Sequence, residues 1–276
     1  MPSIDWNQTE WNRTHLWPAQ GDEWSAVWGG SETQWYCSIL PRIRNFLPAK
    51  VLLEIAPGYG RWTGYLLPAC DKYVGVDMAE TCVHACKQRF STAENADFFA
   101  NDGKSLSMVA ERSVDFVFSF DSLVHVESDV IDAYMTELSR VLAPDGIAFI
   151  HHSNLGTHLT SLSVARLLEK AARPIPPAHR ALERLRMISW DHARGTSMTA
   201  RRFAVACSNA GLACVGQELI DWGHIGRKMI DCLSLVARPG SRWARPNVAV
   251  SNPNFMDEAF SAHRIATVYT SLGANR

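Results

Sequence analysis

From residue 51 onward, apolar runs alternate with amphipathic stretches. Residues 51–56 (VLLEIA) form a short apolar run ending in a glycine turn, which predicts a buried strand. Residues 61–67 follow as a helix, and 73–76 (YVGV) predict a second strand that closes at Asp77. Helical spacing over 79–90 precedes a third strand at 96–100 (ADFFA). A fourth strand is predicted at 114–120 (VDFVFSF), then Asp121 and a helix over 129–142. Pro144, Asp145 and Gly146 predict a turn, and 147–150 begin a fifth strand running into His151 and His152. Strands that alternate with helices through short connections imply a parallel sheet covered on both faces. Residues 157–194 break the rhythm. They are helical and basic, are interrupted by Pro174, Pro176 and Pro177, and read as an insertion over the strand ends. A further helix is expected at 199–210, and two late strands, paired antiparallel, at 219–221 and 231–237. The tail after Arg238 is polar and reads as irregular.

The expected fold is α/β: a doubly wound, mostly parallel seven-stranded sheet. Its divisions are an N-terminal aromatic segment (1–46), an α/β core (47–156), a helical insertion (157–198), completion of the core (199–238) and a tail (239–276).

Composition narrows the class. The chain has 276 residues, 47% hydrophobic, with a net charge of −1, enough to bury a substantial core. Near-neutral charge gives no global attraction for nucleic acid or an anionic membrane, although local patches remain open. No apolar run is long enough to span a membrane, and the N-terminus lacks a basic start and an apolar stretch, so a cytoplasmic protein is expected. The seven cysteines include no CxxC pair, as expected for reduced thiols. Cys82 and Cys86 share a predicted helix face and read as packing. Six of the ten tryptophans lie in the first 35 residues, too much apolar surface for a loose tail. That segment is expected to fold onto the body as a lid or as one wall of a site, and it could reach a second subunit to make a homodimer.

Open parallel sheets bind ligands beyond the carboxyl ends of their strands. At those ends this sequence places Gly58 and Gly60, Asp77, Asp102, Asp121, then His151 and His152. The turn Glu54-Ile55-Ala56-Pro57-Gly58-Tyr59-Gly60 lets a ligand approach backbone closely. Asp77 can accept bonds from both hydroxyls of a ribose. Thr63 stands where a dinucleotide fingerprint needs glycine, and a carboxylate at Glu54 suits an ammonium or sulfonium better than a pyrophosphate.

The segments LLEIAPGYGRWT, VGVDMAE, NDGKSL and VDFVFSFDSLVHV resemble the motifs of class I S-adenosylmethionine-dependent methyltransferases over about residues 47–153. The resemblance implies a Rossmann-like methyltransferase fold with S-adenosyl-L-methionine as cofactor. It implies that the turn from Glu54 through Ala56 and Gly58 to Gly60 holds the methionine end and that Asp77 holds the ribose. Asp102 and Gly103 would meet the adenine amino group, Met78 would pack on the adenine ring, and Asp121 would border the cofactor. Ala56 stands where the family turn has its first glycine. The stretch WSAVWGGSETQW with PRIRNFLP is similar to members that methylate sugars and glycans. In that setting Trp28 or Trp35 could face the sulfonium.

A sugar hydroxyl needs a base or a metal to lose its proton at neutral pH. Asp121 and the pair His151 and His152, at neighbouring strand ends, are the expected catalytic groups. Alternation along a strand turns only one of the two histidines toward the acceptor, and which one is left open. Asp121 with either histidine could hold Mg2+, although one carboxylate is thin for a hard cation. His125 and Glu127 lie in the loop before a helix, and His125 reads as structural. His192, Arg194 and His224 could border the acceptor but read as exposed loop residues, and Arg180, Arg184, Arg186, Arg201 and Arg202 read as a solvated face that, as a site, would favour a phosphorylated or acidic acceptor. The expected function is O-methylation of a small-molecule or oligosaccharide acceptor in polysaccharide biosynthesis. The alternatives are a natural-product methyltransferase acting on a phenol or amine, and a non-catalytic cofactor-binding module. A dinucleotide oxidoreductase is disfavoured by Thr63.

Overall fold

The structure, a computed structural model, describes residues 3–185, 187–188, 193–222 and 228–271. Its strands are β1 (Ala49–Ile55), β2 (Cys70–Asp77), β3 (Ala96–Ala100), β4 (Val114–Ser119), β5 (Leu142–Ser153), β6 (Ala213–Ile220), β7 (Asp231–Ala237) and β8 (Ala249–Asn252). They form one sheet in the order β3-β2-β1-β4-β5-β7-β6-β8. β7 runs antiparallel to both of its neighbours, and the other pairs are parallel. The sheet therefore has eight strands rather than the seven expected. The extra strand, β8, comes from the tail read as irregular. Three of its four side chains are exposed, so no apolar alternation marks it. Its backbone pairs with β6 instead. β5 also starts earlier than expected, directly at the end of a helix, and takes Pro144-Asp145-Gly146 into the strand across a register shift.

Among the described residues, α-helices of six residues or more are α1 (Ile4–Thr9), α2 (Glu80–Arg89), α3 (Ser128–Val141), α4 (Leu159–Ala172), α5 (Pro176–Arg184), α6 (Ala200–Asn209) and α7 (Phe255–Ser271). Local chemistry sets their starts. Ser3 caps α1 and Thr199 caps α6, each accepting from the backbone N–H three residues on. Pro176 and Pro177 open α5, where their missing N–H groups cost nothing.

Because strand side chains alternate, the two faces of the sheet carry different layers. Leu53, Val74, Val76 and Val117 face an aliphatic layer from α3 and α6, including Met135, Leu138 and Phe203. Leu52, Tyr73, Phe116, Phe118 and Phe149 face an aromatic layer that contains Trp28, Trp35, Ile39, Ile43 and, from α7, Phe255. The N-terminal segment is thus one of the packed layers of the fold as well as a cover for the strand ends. Arg42 ties that layer together, donating to Glu218 of β6 (2.6 and 2.7 Å) and to Glu258 of α7 (2.8 and 2.9 Å). All seven cysteines are unpaired. Cys86 packs under the glycine turn, its Sγ 3.1 Å from the Gly58 carbonyl.

Candidate active site

A cavity of about 880 Å3 opens over the carboxyl ends of β1, β2 and β4, at the upper end of the range for small-molecule sites. Ala56, Pro57 and Gly58 form its floor with Asp77, and Trp6, Trp11, Trp17 and Trp24 of the N-terminal segment wall one side. Phe120, Asp121, Arg194 and Trp222 wall the other.

The floor follows from β1 stopping at Ile55 and turning sharply. Ala56 adopts φ +57°, with Gly58 at +59° and Gly60 at +84°. The left-handed region costs an alanine free energy that a glycine is spared. The turn is held by Ala56 N–H donating to the Val76 carbonyl (2.7 Å) and by Ser122 Oγ donating to the Ala56 carbonyl (2.9 Å). At Gly58 a Cβ would lie 3.0 Å from the Trp17 indole, so a side chain there would crowd the ring. Asp77 receives the Gly58 N–H (3.0 Å) and the Ala79 N–H (2.8 Å), which fixes its carboxylate on the cavity wall. Burial pushes its pKa up to about 6 against those hydrogen bonds.

Glu54 lies beneath the floor rather than on it. Its Oε2 accepts from Tyr73 Oη (2.5 Å) and Thr63 Oγ1 (2.7 Å), and burial pushes its pKa up to about 7. Gly60 faces away from the cavity, toward Phe90. Gly103 packs against Met78, with Ile4 of α1 3.8 Å from its Cβ direction, and neither Gly103 nor Met78 lines the cavity. Asp102 is exposed and folds its carboxylate onto the N–H groups of Lys104 (2.9 Å) and Ser105 (2.7 Å), which lower its pKa. α1 therefore lies across the strand ends that carry the three residues the resemblance assigns to adenine.

Two tryptophan expectations separate. Trp28 is buried, lines the cavity and meets Trp222 edge-on at 5.1 Å. Trp35 is corrected to a core residue, stacked on Tyr65 at 5.1 Å and away from the cavity, because its helical turn faces the sheet.

The acceptor side also differs from expectation. His152 points to the opposite face of β5, stacked on Phe203 at 4.0 Å, with its Nε2 2.8 Å from Ser234 Oγ. It is fully buried there, and burial drives its pKa down to about 3. As a catalytic base it is corrected to a packed core residue. His151 is on the cavity side, but behind Phe120 and Trp222 (ring distances 4.8 and 5.2 Å). Its Nδ1 accepts the Asp121 N–H (3.0 Å), so Nε2 carries the ring proton, and it points at Asp231 Oδ2 3.4 Å away. With its lone pair engaged, His151 positions Asp121 and cannot itself take a substrate proton.

Asp121 lines the cavity at φ +61°, its Oδ2 accepting from Arg61 Nη2 (2.9 Å), with Arg194 3.9 Å from Oδ1. Asp231 is fully buried. Burial alone would raise its pKa, but Arg194 (2.9 Å) and His151 outweigh burial and hold it well below the carboxylate range. Two guanidinium groups thus stand around Asp121, where a divalent cation would be repelled. Among the described residues no group of three or more His, Cys, Asp or Glu side chains could hold a metal ion. The Mg2+ expectation is corrected on that ground.

His125, read as structural from the sequence, is on the cavity wall. Its Nδ1 lies 3.1 Å from the Ala193 carbonyl. A carbonyl only accepts, so Nδ1 carries the proton and Nε2 keeps a lone pair. The Ala193 carbonyl is held by a clamped loop. Gly195 N–H donates to the Val124 carbonyl (2.9 Å), and Glu127 accepts the N–H groups of Thr196 (3.1 Å) and Ser197 (2.8 Å). A Cβ at Gly195 would fall 2.0 Å from the Val126 carbonyl oxygen, so only glycine allows this approach. Burial, then Arg194, lowers the pKa of His125 to about 4, so the ring is neutral at neutral pH. The only sequence signal was a histidine just past a strand end. The carbonyl that fixes its tautomer comes from 68 residues away. Arg194 proves central, whereas Arg202 pairs with Asp132 on the surface. Arg180, Arg184 and Arg201 are exposed. Arg186, His192 and His224 lie outside the described residues.

Residues 52–146 match a family model described as a methyltransferase domain. This segment is similar to a methyltransferase domain. Over 120 residues the chain is 33% identical to the biotin biosynthesis bifunctional protein BioHC of Cellvibrio japonicus (strain Ueda107), covering 42% of this chain and 23% of that protein. Over 117 residues it is 26% identical to phosphoethanolamine N-methyltransferase 1 of Zea mays, covering 41% and 23%. The chain thus spans under a quarter of the length of these relatives. The PH0226 protein from Pyrococcus horikoshii OT3 is similar in structure, with a TM-score of 0.52 at 17% identity over 83% of this chain and 95% of that one. PKMT2 from Rickettsia typhi, solved with AdoHcy, has a TM-score of 0.52 at 14% identity over 71% and 51%. At these identities the likeness shows the fold. No helix among the described residues is long and apolar enough to cross a membrane.

Proposed function

We propose that the chain is an S-adenosylmethionine-dependent methyltransferase that methylates a hydroxyl of a saccharide or glycan precursor, with His125 receiving the hydroxyl proton. The observation that carries this is one cavity lined by both Asp77, under the glycine turn, and His125. The residues fit the cofactor. Gly58 carries no side chain, so its backbone opens to a ligand once Trp17 swings aside, Asp77 presents a fixed carboxylate to a ribose, and the indoles of Trp11 and Trp17 suit a purine or a sulfonium. When bound, S-adenosylmethionine supplies an electrophilic methyl group for in-line displacement.

The chain's own task is to orient the acceptor and remove its proton. Sugar C–H faces stack on indoles, and Trp24, partly exposed on the cavity wall, offers one. The Nε2 lone pair of His125 accepts the hydroxyl hydrogen, and Nδ1–H stays on the Ala193 carbonyl. As the proton arrives, the charges of Asp121 and Asp231 offset part of the cost that burial and Arg194 place on the imidazolium. Arg194 and Arg61 hold Asp121 in place meanwhile.

An acidic, indole-lined wall of Trp6, Trp11, Trp24 and Glu10 also suits an ammonium group, which favours an amine acceptor as the second reading. One comparison separates them. His125→Ala is expected to lower kcat on a sugar acceptor by about 10²–10⁴-fold, leaving S-adenosylhomocysteine affinity within about threefold and restoring part of the rate with added imidazole. A phenol or amine acceptor needs little base, so unchanged kcat in His125→Ala overturns the hydroxyl reading. S-adenosylhomocysteine binding without turnover on any saccharide, phenol or amine would support a non-catalytic module.

A further inference from the structure

The mouth of the cavity is rimmed by apolar side chains that stay exposed among the described residues. On the N-terminal side Trp24 and Val27 line the cavity while remaining 42% and 55% exposed, and the neighbouring Leu16 is 86% exposed. On the other side Glu183 of α5 and the adjacent Ile188 line it. α4, α5 and the segment after them leave Val164 (53%), Leu167 (68%), Ile175 (56%) and Leu185 (55%) facing solvent. α4 already buries Leu162, Ala165 and Ala172 against the body, so Leu159, Val164 and Leu167 lie on its outer face. An α-helix that is apolar on its outer as well as its inner face has a second apolar partner.

Charge identifies that partner. Residues 159–188 carry six Arg and Lys against two Glu, in a chain whose net charge is −1. Exposed leucines interleaved with cations, with an indole at the same rim, match the chemistry of an anionic lipid surface, where apolar side chains enter the headgroup boundary and cations meet the phosphates. A second copy of this basic face would be repelled by the first.

We propose that α4, α5 and the Trp24–Val27 rim dock on an anionic membrane surface, which turns the cavity mouth toward acceptors held at the bilayer. The proposal does not depend on the methyl-transfer reading, because vesicle binding is measured without turnover. The test is flotation of the full chain with vesicles of phosphatidylglycerol in phosphatidylcholine, against pure phosphatidylcholine. Binding to the anionic vesicles only, weakened at high salt, is expected. Arg180→Glu with Arg184→Glu is expected to lower partitioning more than tenfold, since each cation contributes about fivefold. Leu167→Gln with Leu185→Gln should lower it at unchanged charge. Circular dichroism and S-adenosylhomocysteine binding verify that both variants fold. Absence of flotation with anionic vesicles overturns the proposal. So does a concentration-dependent dimer that the leucine variant dissociates while vesicle binding is nil, because a second copy then covers the face.

Discussion

At the residue scale, four non-glycine residues lining the cavity, Trp17, Ala56, Asp121 and Ala193, sit in the left-handed region. Strain gathered around one cavity marks backbone held for geometry rather than for stability. Ala56→Gly is expected to stabilise the chain by about 0.5–1 kcal/mol, because relief of strain at φ +57° exceeds the added chain entropy. Thermal unfolding checks this, and a lower Tm would contradict it. Glu54 gives a second prediction. Its folded pKa of about 7 lies above its ordinary 4.5, so the folded chain holds the extra proton. Its contribution is full below about 4.5 and is lost as pH rises through 7, on the order of 3 kcal/mol. His125, lowered to about 4 from 6.5, works in the opposite direction: its penalty grows as pH falls from 6.5 toward 4. The two overlap, so the informative quantity is the difference in unfolding free energy between wild type and Glu54→Gln across pH 4.5–7. That difference should shift in favour of the variant as pH rises, and a flat difference would place Glu54 in a less buried setting. Asp77, Gly58 and Ala56 were legible from their places at strand ends. His125 was not, since its tautomer is set by a carbonyl far along the chain, and a strand's alternation could not say which face His151 or His152 would take.

At the element scale, the N-terminal segment covers the very positions assigned to the cofactor. Ile4 stands over Gly103, Trp17 stacks on Tyr59 at 4.6 Å and crowds Gly58, and Thr81 donates to the Trp11 carbonyl. Asn7 fastens α1: its Nδ2 donates to the His125 carbonyl (2.7 Å) and its Oδ1 accepts from Trp11 Nε1 (2.9 Å). A ligand reaching Asp77 and the adenine side must displace some of these contacts. Asn7→Ala removes the long-range tie to His125 and the local one to Trp11, and is expected to speed both association and dissociation of S-adenosylhomocysteine by several-fold, read by stopped-flow tryptophan fluorescence. Equal rates in variant and wild type would mean that entry uses another edge of the cavity. The tryptophan count predicted that this segment would fold onto the body. It could not predict the split in which Trp28 and Trp35 enter the core while Trp6, Trp11, Trp17 and Trp24 wall the cavity. That split depends on the π-helical and 3-10 turns at 22–39, which shift the side-chain phase away from an α-helical period.

At the scale of the whole molecule, the alternating core was readable because each buried strand leaves an apolar run, whereas the closing parts were not. β8 exposes its side chains, and α7 buries Phe255 and Ala259 near its start while Ile265 and Val268 farther along are exposed. What joins these late elements to the N-terminal layer is polar. Arg42 makes four hydrogen bonds to Glu218 and Glu258, and Asn252 of β8 donates to both carboxylates (2.7 and 2.6 Å). The charges are mostly buried, so the cluster depends on the cation being present to offset desolvation. Arg42→Met leaves two carboxylates facing one amide and is expected to cost roughly 2–4 kcal/mol, while S-adenosylhomocysteine affinity of the folded fraction is unchanged because Arg42 is not on the cavity wall. The pH response separates loss of charge from loss of packing. Burial would raise the pKa of Glu218, but Arg42 outweighs it and lowers the net value. The pair's contribution is therefore present above the ordinary glutamate range and lost as pH falls through the folded value. Wild type should lose stability on acidification below about pH 4.5, and Arg42→Met should lose less over the same interval. Glu218→Gln with Glu258→Gln in the Arg42→Met background should recover part of the deficit at pH 7. A variant as acid-sensitive as wild type, with no recovery, would mean that Arg42 acts through its alkyl stem and its 5.1 Å contact with the Phe255 ring rather than through its charge.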